Sequence, residues 1–129
     1  MSERREFEQL LDELHAARLE GELERLCALF RREAQLRIVG TSDGKPITVE
    51  AQGIAEIRTW LGMLVKTFRL SDYERIATLI DGEQAAVHWR VQIRSRITGH
   101  RVPTELIDLV EMHEGRIVRQ TEFFVPGAV

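Results

Sequence analysis

Two carboxylates stand among apolar residues in the second half of the chain, Asp108 in the segment LIDLV and Glu122 in the segment TEFFV. Desolvation and mutual repulsion each raise the pKa of a carboxyl group, so two neighbouring acids in an apolar site cannot both ionise without a large energetic cost. A protonated acid beside an ionised one can move a proton at a carbon next to a carbonyl, or help to add water. We therefore predict general acid–base chemistry, with Glu122 as the base and Asp108 as the acid or hydrogen-bond donor. The alternatives are ligand binding without chemistry, or an acid that only satisfies a polar core.

Four extended segments must position these acids, at about 72–80, 84–97, 101–112 and 116–125. Their connections contain Asp-Gly, Thr-Gly and Glu-Gly pairs, which are typical of tight hairpins and predict antiparallel neighbours. Residues 84–97 alternate between apolar and polar side chains, so one face of this strand is predicted to lie on a core. Trp89 lies on that apolar face.

The first half of the chain is predicted to be mostly helical. Apolar residues at helical spacing indicate a helix over about 7–17, a short second helix that starts near 23 and ends before Glu33, and a third helix over 54–69. Between them, residues 34–39 indicate a short strand, 40–46 a loop, and 47–51 a brief extended segment. Three helices against one face of a meandering sheet give an α+β fold.

Turn length decides which residues face each other across the strands. A two-residue turn at Thr98-Gly99 would place Trp89 opposite Asp108. A three-residue loop in the last hairpin would place Asp108 opposite Glu122, with Gln120 beside them. A two-residue loop there would instead turn Arg119 and Thr121 inward, and the sequence leaves the choice open. Directly opposed side chains have Cβ atoms about 4.5–5.5 Å apart.

Other side chains could contact a ligand between helices and sheet. His15 borders the apolar stripe of the first helix, and Trp60 borders that of the third helix. Either residue, like Trp89, is a candidate substrate contact. Packing in the core is the simpler interpretation of the aromatic residues, and a half-buried helical position is the simpler interpretation of His15.

Composition restricts the class of protein. At 129 residues, with 43% hydrophobic and 30% charged residues, the chain is predicted to form a single domain over 1–129. A net charge of −3 argues against nucleic-acid binding, and no apolar stretch is long enough for a membrane span. The four histidines show no ligand spacing and the chain has no phosphate-binding glycine loop, so we expect no metal and no cofactor. A charged N-terminus without a signal-peptide pattern and a single cysteine favour a cytoplasmic protein.

The strand around Asp108 is apolar on both faces, because Ile107 and Leu109 alternate with the inward-facing residues. Contiguous apolar area outside a core usually marks an interface. We expect a second copy of the chain to cover this outer face and form a homodimer. Isolated exposed apolar residues, which are common, are the alternative.

The order of these elements resembles the nuclear-transport-factor-2-like superfamily, over about residues 7–125. The resemblance rests on a glycine between the first two helices, a helix that begins Gly-x-x-x-Ile at Gly53, and the final run GRIVRQTEFF from Gly115. The SnoaL-like polyketide cyclases and ketosteroid isomerases are the most similar branches. The resemblance implies a cone-shaped, cystatin-like α+β barrel in which a curved antiparallel sheet wraps over three N-terminal helices. It also implies a dimer and an apolar pocket for a hydrophobic small molecule.

Site residues follow from the resemblance position by position. Asp108 falls where ketosteroid isomerases carry a hydrogen-bonding acid, and Glu122 where limonene epoxide hydrolase-like members carry an acid on the last strand. Leu14 occupies the place of the isomerases' first-helix tyrosine, and Ile38 lies near the place of their general base. We expect Leu14, Ile38 and Phe124 to contact the ligand. The resemblance implies an isomerase, a cyclase or a hydrolase; the alternative is a non-catalytic ligand-binding or assembly module of the same fold.

Overall fold

Three helices and six strands build the protein, as described by a computed structural model over residues 3–127. The helices are α1 (Glu3–Glu20), α2 (Leu23–Cys27) and α3 (Ile54–Thr67). The strands are β1 (Phe30–Ser42), β2 (Lys45–Gln52), β3 (Phe68–Asp81), β4 (Gln84–Ser95), β5 (Arg101–His113) and β6 (Arg116–Pro126).

All six strands form one curved sheet in the order β2-β1-β6-β5-β4-β3. The four C-terminal strands are antiparallel to one another, as predicted, and the α+β cone is confirmed. One pair was not predicted, because β1 lies parallel to β6 and makes the sheet mixed. The sheet does not close, since β2 and β3 are its two edges.

The predicted boundaries were wrong around β1. The second helix ends at Cys27, and β1 runs over Phe30–Ser42 rather than 34–39. The predicted loop over 40–46 is mostly strand, because β1 and β2 pair up to Ser42 and leave only a two-residue turn. That turn, Asp43-Gly44, has positive φ at both residues, the backbone conformation that a type I′ hairpin requires.

The register between β4 and β5 differs from the prediction by two residues. Trp89 pairs with Leu106, and the residue opposite Asp108 is Val87. The predicted two-residue turn is wrong, because the last pair is Arg94 with Arg101 and the intervening segment closes through its own backbone hydrogen bonds. A shift of two residues keeps every side chain on its predicted face.

The last hairpin combines a two-residue turn with a β-bulge. Glu114 and Gly115 form the turn, both with positive φ, and Val118 is then left without a partner where the pairing shifts. This extra residue restores the register expected from a three-residue loop, so Asp108 lies opposite Glu122. A bulge of this kind inserts one residue into one strand only. Of the two alternatives that the sequence left open, the structure has the register that pairs the two acids, and it reaches this register with a two-residue turn and a bulge instead of a three-residue loop.

The core lies between the inner face of the sheet and one stripe of α1 and α3. Phe7, Leu11 and Ile57 from the helices are fully buried against Val87 and Leu106 from the strands. Burying one such apolar side chain contributes about 1.5–3 kcal/mol to folding. The helices thus cover the inner face and leave the other face of the sheet to solvent.

Gly40 makes room for an aromatic ring on the inner face. It pairs with Phe124 across the parallel strands, and a Cβ atom at Gly40 would overlap the Phe124 ring. The φ angle of Gly40 is not in the left-handed region, so the missing side chain is required by space rather than by backbone conformation.

Replacing Gly40 by alanine is expected to lower the free energy of unfolding by about 1–3 kcal/mol, because the new methyl group overpacks the site. Adding Phe124→Leu to the Gly40→Ala variant should recover part of the lost stability, since it removes the overlapping ring atoms. Urea unfolding of both single variants and the double variant measures the coupling. Gly62→Ala within α3 is the control and should not destabilise, because its methyl group would lie 3.4 Å from Leu23 Cδ2 and alanine favours a helix. Additive losses in the double variant would contradict the interpretation.

Candidate functional site

An apolar cavity of about 380 Å³ opens between α3 and the ends of the inner-face strands. Most of its wall is aliphatic or aromatic, and the exposed side chains of Met63 and Phe68 border it. The lining residues that carry the argument below are Arg18, Ile38, Trp60, Leu106, Glu122 and Phe124. Such a space suits a small hydrophobic molecule.

Among the described residues that line this cavity, Arg18 and Glu122 are the only charged ones. They form a two-point ion pair, with Arg18 Nη1 at 2.8 Å from Glu122 Oε1 and Nη2 at 3.4 Å from Oε2. The side chains are only 14% and 5% exposed, respectively. Water therefore screens this pair little, and each charge depends on the other for compensation.

Burial raises the pKa of Glu122 above its ordinary value of 4.5. Arg18 acts in the opposite direction, and the negative charge of Asp108 adds to the effect of burial. Burial by itself would lower the pKa of Arg18, but the attraction of Glu122 leaves that pKa raised. Glu122 is thus a stronger base than a solvated carboxylate, held beside a permanent cation.

Asp108 lies behind the cavity wall at the centre of a buried network. Its Oδ2 lies 2.9 Å from Trp89 Nε1, which donates to it, and 2.9 Å from His15 Nε2. Gln120 Nε2 donates to Oδ1 at 3.3 Å. A carboxylate surrounded by nitrogen donors is an acceptor, so this geometry suits ionised Asp108 with a proton on His15 Nε2.

The network continues from His15 to the protein surface. His15 Nδ1 lies 2.6 Å from the Tyr73 hydroxyl, and Arg75 Nε donates to the same hydroxyl oxygen at 3.1 Å. Arg75 in turn pairs with Asp12, whose side chain is 68% exposed. With a neutral His15 that donates from Nε2, the Tyr73 hydroxyl donates to Nδ1. His15 is therefore held on both sides and cannot rotate freely.

The structure divides the predicted site residues into two groups. Glu122 and the predicted contacts Ile38, Trp60 and Phe124 line the cavity. The other predicted residues do not line it, which corrects their expected placement: Asp108, Trp89, Gln120 and His15 form the network behind the wall, and Leu14 is buried in the core. The strand register alone does not make this division, because Asp108 pairs with Glu122 and Trp89 pairs with Leu106, and both Glu122 and Leu106 line the cavity. Catalytic roles for Asp108 and Glu122 stay predictions.

Sequence reasoning missed Arg18 and Tyr73. Arg18 lies four residues after Leu14 in α1, so the apolar stripe carries it to the inner face even though its charge suggests solvent. Tyr73 is the only tyrosine of the chain, and β3 is irregular between Ser71 and Glu74. Continuing the apolar stripe of the helix by one turn would have predicted that Arg18 faces inward. The position of Tyr73 could not be predicted in this way, because its strand is irregular.

Over residues 3–127, no group of three or more histidine, cysteine, aspartate or glutamate residues is arranged to hold a metal ion. In the same part of the chain, no helix has the length and apolar character needed to cross a membrane.

A family model described as the SnoaL-like domain matches residues 8–120 of the chain. A search by sequence among curated proteins found no match.

Three solved structures are similar over most of both chains. A proposed isomerase from Bacillus subtilis is 20% identical with a TM-score of 0.83, and covers 96% of this chain and 89% of its own. SalBIII, an epoxide hydrolase/cyclase-like enzyme in pyran ring formation in the polyether salinomycin, is 19% identical with a TM-score of 0.75, at 96% and 94% coverage. An LEH-like epoxide hydrolase from M. tuberculosis is 14% identical with a TM-score of 0.69, at 90% and 80% coverage. At these identities the likeness shows the fold.

The carboxyl groups of two bidentate Arg–Glu pairs should have pKa values that are shifted in opposite directions. Glu13 pairs with Arg25 at the surface and its pKa is lowered, whereas the pKa of buried Glu122 is raised, both relative to 4.5. Carboxyl ¹³C NMR should therefore show Glu122 titrating above 4.5 and Glu13 below it. Arg18→Met should raise the pKa of Glu122 further.

The stability consequence has a defined sign. Because the pKa of Glu122 is higher in the folded than in the unfolded chain, its contribution to stability is fully present below pH 4.5 and is lost as pH rises through the folded value. As pH rises from 4.5 through the folded pKa of Glu122, the unfolding free energy of the wild type should therefore fall relative to that of Glu122→Gln. A midpoint for Glu122 at or below that of Glu13 would contradict the assignment.

Proposed function

This chain belongs to the SnoaL-like domain family, within the nuclear-transport-factor-2-like superfamily, and from that premise we propose that it catalyses cofactor-free acid–base chemistry on a hydrophobic small molecule. The reaction class is isomerisation, cyclisation or hydration. One observation carries the proposal: within residues 3–127, a buried arginine–glutamate pair provides the only charges on the wall of an apolar cavity.

The pair supplies complementary functions to a substrate with a carbonyl group. Arg18 donates a hydrogen bond to the carbonyl oxygen, and Glu122 removes a proton from the adjacent carbon. The electrons of that C–H bond form the enolate, whose oxygen then takes the place of the Glu122 carboxylate as the anionic partner of Arg18. Returning the proton from Glu122 to another carbon completes an isomerisation. In a cyclisation, the enolate carbon attacks a second carbonyl within the molecule, and the resulting alkoxide takes the proton from Glu122.

The apolar wall contributes by excluding water. In a medium of low dielectric constant, the interaction of Arg18 with a developing oxyanion is stronger than in solution. The raised pKa of Glu122 brings its proton affinity closer to that of the substrate. The site residues are thus organised before the substrate enters.

Asp108 acts on Glu122 in this proposal rather than on the substrate. The two residues are directly opposed on β5 and β6, and the charge of Asp108 contributes to the raised pKa of Glu122. Trp89, His15 and Gln120 hold Asp108 as an acceptor. This role replaces the expected one of an acid that donates to the ligand.

A ligand-binding module without chemistry is the second candidate. It is favoured by the closed geometry of the Arg18–Glu122 pair, in which each group satisfies the other before any ligand binds. Both candidates require the same cavity, and they differ only in whether a proton moves.

Deuterium exchange distinguishes the two candidates. In D₂O, the wild type is expected to accelerate exchange at the carbon next to the carbonyl in a panel of apolar ketones such as 1-indanone, 2-tetralone and 2-decanone. Glu122→Gln should lower the protein-dependent rate by about 100-fold or more, because the general base is lost. Proton NMR follows the disappearing C–H signal.

Glu50→Gln is the matched control, because Glu50 is exposed on β2 and does not line the cavity. This variant should catalyse deuterium exchange of the ketones at the wild-type rate. Asp108→Asn should shift the pH profile of exchange to lower pH, since it removes a charge that raises the pKa of Glu122. Ketones that bind without accelerated exchange would favour the binding module, and equal rates in Glu122→Gln and wild type would refute the base assignment.

We further propose that a second copy of the chain covers the outer face of the sheet. Exposed apolar side chains lie there on neighbouring strands, Ile107 and Leu109 on β5 with Phe123 and Val125 on β6. Their exposed fractions are 41%, 45%, 37% and 56%. A contiguous apolar patch of this kind is unusual on a monomer and suits a symmetric contact.

Leu109→Lys is expected to shift the protein from dimer to monomer, because a lysine in the patch would be buried without a partner. Ile97→Lys is the matched control: Ile97 is 82% exposed in the turn after β4, away from the patch, and its replacement should leave the dimer intact. Light scattering coupled to size-exclusion chromatography measures the mass. A monomeric wild type at micromolar concentration would disprove the contact.

A further inference from the structure

A second cleft, also about 380 Å³, adjoins the apolar cavity at the end of α1. Its lining residues are Arg18, Leu19, Glu20, Gly21, Phe68, Arg69, Leu70 and Arg96. Arg18, Phe68 and Leu70 line both the cleft and the cavity. Arg18 therefore borders both an apolar space and a more polar one.

The cleft carries uncompensated positive charge. Its one acid, Glu20, is paired with Arg25 at 2.6 Å, and Arg18 is paired with Glu122. Arg69 and Arg96 form no ion pair within the part of the chain that the structure describes. Two guanidinium groups are thus left without an anion in a protein whose net charge is −3.

The backbone of both arginines is held by hydrogen bonding to neighbouring segments. Arg69 is the second residue of β3 and pairs with Arg94 of β4. The backbone N–H of Arg96 donates to the carbonyl of Thr67, the last residue of α3, at 2.8 Å. Their backbones are therefore fixed relative to the mouth of the cavity, which lowers the entropic cost of binding a ligand there.

We propose that this cleft binds the anionic end of an amphipathic ligand whose apolar part occupies the cavity. The anion is a carboxylate or a phosphate, because guanidinium groups bind both through paired N–H donors. The proposal rests on the proposed function, in that it requires the cavity to bind an apolar molecule. It adds that the substrate carries a carboxylate or a phosphate group on its hydrophobic body, in addition to the carbonyl group that reacts.

The anion has a direct role in selectivity. A neutral apolar molecule gains nothing from Arg69 and Arg96, whereas an anion gains an attraction that weakens with salt. The continuity of cleft and cavity through Arg18 favours one small molecule that spans both compartments over a macromolecular partner, which could reach the exposed arginines but not the cavity.

Two fluorescent probes with the same aromatic body test the proposal. 8-Anilino-1-naphthalenesulfonate carries an anionic group, and N-phenyl-1-naphthylamine is its neutral counterpart. The double variant Arg69→Gln/Arg96→Gln should weaken binding of the sulfonate by about five- to tenfold, the size expected for partly exposed charge pairs. Binding of the neutral probe should stay within twofold, and only the sulfonate should lose affinity as NaCl rises.

The controls separate charge, location and function. Arg37→Gln/Arg116→Gln removes the same charge from two exposed arginines that line neither compartment, and should leave both probes unchanged. Val49→Trp fills the cavity and should weaken both probes. If the neutral probe does not bind, or is insensitive to Val49→Trp, the cavity is not a ligand site and the proposed function fails together with this inference. If the neutral probe binds in the cavity but the affinity of the sulfonate is unchanged in Arg69→Gln/Arg96→Gln, only the proposed anion site is wrong.

Displacement of the neutral probe identifies the anion. Decanoate and decyl phosphate should compete better than 1-decanol in the wild type, and this preference should disappear in Arg69→Gln/Arg96→Gln. The stronger of the two anions defines the class. Equal competition by all three molecules would overturn the proposal.

Discussion

The extra residue in β6 determines which side chains face the helices. Val118 interrupts the pairing after the Glu114-Gly115 turn, and every residue beyond it is shifted by one position relative to β5. Without this bulge the alternation of the strand would reverse, and Glu122 would lie on the outer face. The opposition of Asp108 and Glu122, the buried Arg18 pair and the charged wall of the cavity all follow from this single insertion.

Burial then gives the two acids different environments. Glu122 faces one permanent cation in an otherwise apolar space, whereas Asp108 is surrounded by nitrogen donors from α1, β4 and β6. Losing one partner of such a buried pair is costly, because the remaining charge has no water to replace it. The network through His15 and Tyr73 therefore stabilises the fold and also maintains the charge that acts on Glu122.

The site has a charged pair at its centre, and the two spaces beside this pair differ in polarity. The cavity offers an apolar wall, the adjoining cleft offers unpaired arginines, and Arg18 borders both. An amphipathic molecule fits this arrangement better than a wholly apolar one, since each end would meet a surface of matching character.

The sequence by itself determined the α+β fold, the antiparallel pairing of the last four strands with one another and the apolar face of β4 on which Trp89 lies, because alternation and turn residues are local properties of the chain. It left open which face of the last strand carries Glu122. It could not determine the parallel contact of β1 with β6, the bulge at Val118 or the two-residue shift at Trp89, since these depend on pairing between distant segments. The partner of Glu122 also came only from the tertiary structure. Arg18 lies 104 residues away in the chain, and nothing local to either residue indicates that burial will bring the two charges together.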